Sequence, residues 1–298
     1  MLEERFIGSM LGLALGDAMG AGFEGAPPGL RDGFTRGGSG QLRWTDDTQM
    51  AMGLAGSLAA CKGLDADHLA RVWADSLAPM RGYGPGALKL LTMIRDGADW
   101  RQANRAVFPD GSYGNGAAMR AAPLGLFFHR DATGLLGATE NASAITHAHP
   151  LGIDGGLVIA RGTALALGDD FDAERFLGVL WDFVATDEFR RRLDVAKEWL
   201  GRAPDPGEVV ERLGNSVLAH ESAVTAVHLF LRFEQDFVAM IDFAIRLGGD
   251  TDTIGAMAGG IFGARNGVAA LPEDLLERLE AREELEGLAR GLFAALPA

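Results

Sequence analysis

At 298 residues, 48% of them hydrophobic, the chain can bury a sizeable core in one or two domains. A net charge of -14 turns an acidic surface toward phosphate backbones and argues against non-specific nucleic-acid binding, while leaving room for a local pocket that takes a small phosphorylated ligand. Cys61 is the single cysteine, which excludes an internal disulfide and a cysteine-based zinc site and fits a reducing compartment, so a cytoplasmic location is expected.

From the N-terminus, the apolar run Ile7 to Leu15 follows Glu3 and Glu4 instead of a basic segment. With Asp17 and Glu24 close behind, it reads as a core helix and not as a signal peptide. No stretch is read as approaching the roughly 20 apolar residues of a membrane span. Residues 25–40, dense in Gly and Pro, read as an irregular loop. Thr45 then stands before the apolar run Met50 to Ala60 and can cap a helix there, with Asp46 and Asp47 in its first turn.

The segment Gly111-Ser112-Tyr113-Gly114-Asn115-Gly116 precedes the apolar run Ala117 to Phe128. Its glycines would let backbone N–H groups approach a phosphate, or they make an ordinary tight turn. Phe108 before it and Tyr113 within it are stacking candidates or core aromatics. Thr146-His147-Ala148-His149 follows; satisfied structural histidines are commoner than functional ones. Residues 171–200 hold one or two helices, residues 201–207 break, and residues 220–232 read as helix. Residues 236–247 place Phe237, Met240, Ile241, Ala244 and Ile245 on one stripe, and 283–295 repeat the pattern with Leu285, Leu288, Leu292 and Phe293. Glycine, at 42 residues, sits in small-residue runs such as 248–249 and 259–260 that suit close packing and turns. The expected fold is all-α, an orthogonal multi-helix bundle forming one domain over residues 1–298, and monomeric.

Asp250-Thr251-Asp252-Thr253 repeats the grammar of residues 45–48: acids and hydroxyls opening a small-residue helix. If the two clusters face each other, their oxygens form a cage suited to hard cations such as Mg²⁺, Mn²⁺ or Ca²⁺. Two independent helix caps explain the same residues, and local sequence leaves both readings open. Glu24, between Phe23 and the Gly/Pro-rich loop, is either a partly desolvated general acid or a surface carboxylate.

Taken in order, Gly16-Asp17-Ala18-Met19-Gly20 with Phe23-Glu24, Thr45-Asp46-Asp47-Thr48, residues 82–86, residues 111–120, Thr146-His147 and residues 248–253 resemble the ADP-ribosylglycohydrolases over nearly the whole chain. The resemblance implies an all-α fold with a binuclear site in a cleft, holding two Mg²⁺ (or Mn²⁺), and a protein-linked or otherwise conjugated ADP-ribose as substrate. It implies Thr45, Asp46 and Asp47 as one set of metal ligands and Asp250, Asp252 and Thr253 as the other. It places Gly111, Ser112, Gly114, Asn115 and His147 on the diphosphate, Phe108 and Tyr113 on the adenine, Gly84 at the substrate, Asp17 behind the site, and Glu24 as the catalytic acid or base. Gly and Pro at residues 82–86 resemble the branch that cleaves O-linked ADP-ribose from serine, poly-ADP-ribose or O-acetyl-ADP-ribose. The alternatives are an arginine-specific hydrolase of the same family, a two-metal nucleotide phosphoesterase, and a non-catalytic ADP-ribose binder.

Overall fold

The computed structural model describes residues 1–29 and 40–297. Among them the regular structure is helical, with sixteen α-helices, four short 3-10 helices and two isolated β-bridges. The stretch 30–39 of the expected Gly/Pro-rich loop lies outside the described residues; Ala21–Phe23 just before it forms a 3-10 turn.

Two helices form the axis of the fold, Leu2–Gly20 and Thr251–Asn266. Both are buried nearly all round, the pattern of a helix enclosed by others. They meet backbone to backbone along a glycine seam. A Cβ at Gly12 would sit 2.3 Å from the Gly259 carbonyl oxygen, one at Gly16 2.1 Å from that of Gly255, and one at Gly263 1.9 Å from that of Gly8. Only glycine fits such an approach, and the four-residue spacing keeps one face of each helix bare. Ser9 Oγ donates to the Gly260 carbonyl at 2.8 Å and Thr251 Oγ1 to that of Gly20 at 2.9 Å, so the hydroxyls beside the seam are satisfied.

The other elements wrap this pair. Helices Pro150–Ala166, Ala219–Arg232 and Phe237–Leu247 pack on Thr251–Asn266, while Asp46–Cys61 and Arg282–Ala294 pack on Leu2–Gly20. The expected stripe is buried: Phe237, Met240, Ile241, Ala244 and Ile245 all face the interior, each large side chain worth about 1.5–3 kcal/mol. Arg282–Ala294 buries Leu285 and Leu292, with Leu288 and Phe293 half-buried. Residues 171–200 divide into two helices, Ala173–Phe183 and Asp187–Glu198, and the next begins at Pro206.

The apolar N-terminal segment is longer than Ile7 to Leu15. Residues 2–23 are long and apolar enough by composition to cross a membrane, which corrects the sequence reading. The window is 83% buried inside the fold and includes the buried Asp17, so here it serves as a core helix.

Candidate active site and metal centre

The seam brings the N-terminal segment and the Thr251–Asn266 helix together at one end, and there the acids collect. Asp17, in the last turn of Leu2–Gly20, is fully buried. Its carboxylate accepts from Thr45 N (3.0 Å), Thr48 N (3.1 Å) and Thr48 Oγ1 (2.6 Å). It therefore clamps the N-terminus of Asp46–Cys61 onto the N-terminal helix, where the helix dipole also favours a negative charge. Thr45 caps that helix and donates from Oγ1 to Asp47 Oδ2 at 2.9 Å.

Asp250 is the N-cap residue of Thr251–Asn266 and Asp252 lies in its first turn. Gly249, at φ +70°, turns the chain into this helix, tight against the Asn215 carbonyl. The same turn anchors the Glu24 segment: Gly25 N donates to the Gly249 carbonyl at 2.8 Å, and Gly249 N donates to that of Ala26 at 3.0 Å. Asn115 donates its side-chain amide to Asp250 Oδ2 and to Ser222 Oγ, so it fixes the acid from the opposite wall.

The outcome is two overlapping carboxylate groups. Oxygens of Asp17, Asp47 and Asp252 all lie within 4.8 Å of one another, and so do oxygens of Glu24, Asp250 and Asp252. Asp252 belongs to both. The two clusters of the sequence thus converge, and they do so with Asp17 and Glu24 in their midst. Asp46 lines the same cavity without entering either group, and Thr253 lines it too.

Electrostatics shows what a cation would relieve here. Burial, and then the charge of Asp17, push Asp46 up to about 7. Burial and then Asp250 push Asp252 up to about 9. Burial, with Asp17, Asp252 and Asp46 adding to it, holds Asp47 well above the ordinary carboxylate range. Asp17 rises to about 6 by burial, against the pull of its Thr48 and Thr45 hydrogen bonds. Partial burial and the nearby Asp250 raise Glu24 as well. Asp47 Oδ1 is buried with no hydrogen-bond partner. A hard divalent cation satisfies that oxygen and offsets the repulsion with the all-oxygen donor set it prefers, so the residues fit the metal.

Glu24, Asp46, Asp47, Asp250 and Asp252, with Asp17 buried behind them, form one end of a cavity of about 330 Å³. Its other walls include Gly84, Phe108, Ser112, Gly114, Asn115 and His147, all singled out in the sequence. Gly84 caps the Pro85–Arg95 helix, and Phe108 lies against Gly86, where a Cβ would come within 2.2 Å of Phe108 Cζ. Gly111 is a turn position at φ +81°, packed on the His149 backbone. Tyr113 is half exposed, edge-on to His149 at 5.4 Å, and outside the cavity lining. The lining also includes Met119, Arg120, Thr146 and Val217, to which the sequence reading gave no role. Arg120 is buried, lies over the Trp73 ring at 4.0 Å and donates to Thr146 Oγ1 at 2.6 Å. A charged residue inside the apolar run 117–128 was the available signal.

Residues 1–298 match the family model described as ADP-ribosylglycohydrolase. The chain is 33% identical to ADP-ribosylhydrolase ARH3 of Gallus gallus, over 97% of this chain and 92% of the relative. It is 32% identical to ADP-ribosylhydrolase ARH3 of Homo sapiens, over 97% and 92%. A solved structure described as an ADP-ribosylglycohydrolase-related protein complex superposes with a TM-score of 0.80 at 30% identity, covering 98% of each chain.

Proposed function

From the premise that the chain belongs to the ADP-ribosylglycohydrolase family, and so to a family of ADP-ribosylhydrolases, we propose that it hydrolyses O-linked ADP-ribose, with serine-linked ADP-ribose as the preferred conjugate and Mg²⁺ as the metal. The observation that carries this is the convergence of Asp47 with Asp250 and Asp252 from the far end of the chain, beside Glu24, at one end of a cavity.

Asp46, Asp47, Asp250 and Asp252 would hold the cations, with Thr45 and Thr253 as hydroxyl ligands and Asp17 bracing the first set. Two bound divalent cations supply orientation of the distal ribose through its hydroxyls and stabilise charge as the glycosidic bond breaks. The chain's own part is proton transfer. Glu24, on its anchored turn, gives its proton to the departing serine oxygen as the C1″–O bond breaks. It then takes a proton from the water whose oxygen bonds to C1″, so ADP-ribose and free serine side chain result. Partial burial and the Asp250 charge raise Glu24, the direction a proton donor needs. The far end of the cavity, Ser112, Gly114 and His147, takes the diphosphate, and Phe108 supports the adenine.

Incubation with serine-linked and arginine-linked ADP-ribosyl peptides, in Mg²⁺, Mn²⁺ or EDTA, tests the reading. Free ADP-ribose from the serine peptide in Mg²⁺ and none in EDTA is the expected result. Release from the arginine peptide alone overturns the linkage, and AMP as product overturns the reaction class.

A further inference from the structure

We propose that Arg120 is a positioning residue: through the Thr146 hydroxyl it holds His147 as the neutral imidazole with its proton on Nε2, so the cavity presents a phosphate oxygen with a fixed, uncharged donor. The inference rests on reading His147 as part of the diphosphate side of the site, and it assigns a task to two residues that do not touch the acids.

The argument is an accounting of protons around one oxygen. Thr146 Oγ1 is buried, 2.6 Å from Arg120 Nη2 and 2.7 Å from His147 Nδ1. A guanidinium can only donate, so Arg120 occupies one lone pair of the hydroxyl. The hydroxyl has a single proton to give. If His147 carried its proton on Nδ1, Oγ1 would accept twice and its own proton would have no acceptor among the described residues. A buried donor left unmade is costly, whereas a proton directed at Nδ1 satisfies all three groups. Nδ1 is then an acceptor and Nε2 carries the hydrogen.

The doubly protonated ring is excluded on the same geometry, because it would set a second cation beside Arg120 with no carboxylate at either nitrogen. Burial first, and then the Arg120 charge, lower His147 to about 3, in agreement.

Both ends of the relay are clamped. Arg120 lies over Trp73, whose indole donates to the Met50 carbonyl at 2.9 Å, and a second guanidinium nitrogen meets Met50 Sδ at 3.2 Å. The imidazole lies on Gly116, where a Cβ would be 2.4 Å from Cε1 and 2.8 Å from Nε2. Nε2 thus faces the Gly114–Gly116 stretch that lines the cavity. A neutral donor suits this place: it recognises a phosphate oxygen without adding a charge that pH would switch.

The test is NMR on ¹⁵N-histidine-labelled protein, with two-bond nitrogen–proton couplings reporting which ring nitrogen is protonated and H147Q assigning the signal. It is paired with calorimetric titration of ADP-ribose. T146V deletes the hydroxyl at constant shape, T146S restores it, and neither requires the buried arginine to be replaced. The unaltered protein and T146S should show the Nε2–H form alone. T146V should show mixed tautomers and bind ADP-ribose about tenfold more weakly, with metal-induced stabilisation unchanged, the scale of a weakened hydrogen bond to a charged group. An Nδ1–H signal in the unaltered protein, or a T146V variant that keeps both tautomer and affinity, overturns the proposal. If the unaltered protein fails to bind ADP-ribose, the ligand reading falls, while the tautomer, measured without ligand, still decides whether the relay through the Thr146 hydroxyl sets the ring.

Discussion

Replacing Gly16 by Ala tests whether the glycine seam sets the metal site. The new Cβ would stand 2.1 Å from the Gly255 carbonyl oxygen and 2.6 Å from its carbon, both backbone atoms that no rotamer change can clear. Relief to ordinary contact requires the helices to part by about 1 Å or more at this point. They cannot part freely, because the Gly12–Gly259 and Gly8–Gly263 contacts and the Ser9 and Thr251 hydrogen bonds hold them on either side. Overpacking of this kind costs about 1–3 kcal/mol. At about 2.1 cal/mol/K of unfolding entropy per residue, a chain of this length shifts by about 1.6 °C per kcal/mol, so Tm should fall by about 2–5 °C. The catalytic loss should exceed the stability loss. Asp17 is the next residue and Asp252 is one helical turn before Gly255, so the parting falls between two members of one carboxylate group. A misplacement of about 1 Å at a reacting centre costs on the order of 10²-fold. Thermal melting with and without Mg²⁺, and turnover of a serine-linked ADP-ribosyl peptide well below Tm, measure the two effects. Gly287→Ala is the control, since its Cβ meets nothing within 4 Å on an exposed helical face, and it should leave turnover unchanged. A Gly16→Ala protein that melts and turns over as the parent does would refute the seam as the device that places the acids.

Asp252→Asn should abolish turnover and metal-induced stabilisation while raising the Tm of the metal-free protein, because the folded protein no longer has to keep a proton on the carboxyl common to both acid groups; differential scanning in EDTA and in Mg²⁺ reads both signs, and a lower metal-free Tm contradicts the argument. Glu24→Gln should lower kcat by about 10²-fold while ADP-ribose binds within about threefold of the parent, measured by single-turnover kinetics and calorimetry; an unchanged kcat moves the proton transfer to another group. Without metal, stability should fall as pH rises from about 6.5 to about 9, above the range in which the buried neutral histidines respond, because the folded protein keeps protons on Asp46 (up to about 7) and Asp252 (up to about 9) that the unfolded chain gives up. Mg²⁺ should flatten that slope and release protons on binding, so its measured enthalpy should vary with the ionisation enthalpy of the buffer; a metal-free Tm that climbs over this range refutes the assignment of the cluster.

Much of this was legible locally. Thr45 as a cap with two acids behind it, and the stripe from Phe237 to Ile245, are patterns set by one turn of helix, and the structure has them. The resemblance supplied the pairing of acids about two hundred residues apart, which local sequence left open between a shared cation site and two independent caps. The contacts that make the pairing work were beyond local grammar. Asp17 looked like a residue behind the site, yet its oxygens hold the second helix in place and lie among the acids. Asn115 lines the cavity as expected for a ligand contact, but its amide serves Asp250. The four-residue spacing of Gly8, Gly12, Gly16 and Gly20 was visible, and only its partner, the run Gly255, Gly259, Gly263, gives it meaning.

The seam also answers why a fold would tolerate so many crowded carboxylates. Desolvated acids in contact oppose folding, and flexible walls would spread them apart. Here each is tied to a rigid element: Asp17 to the N-terminal helix, Asp47 to a helix that Asp17 itself caps, Asp252 to a helix in backbone contact with the first. Most of their oxygens are given N–H or O–H donors, which lowers the cost of the arrangement without removing it. Asp47 Oδ1 receives none. The repulsion that survives is relieved by a proton or by a cation, and a site that cannot relax by moving exchanges the one for the other when a metal binds.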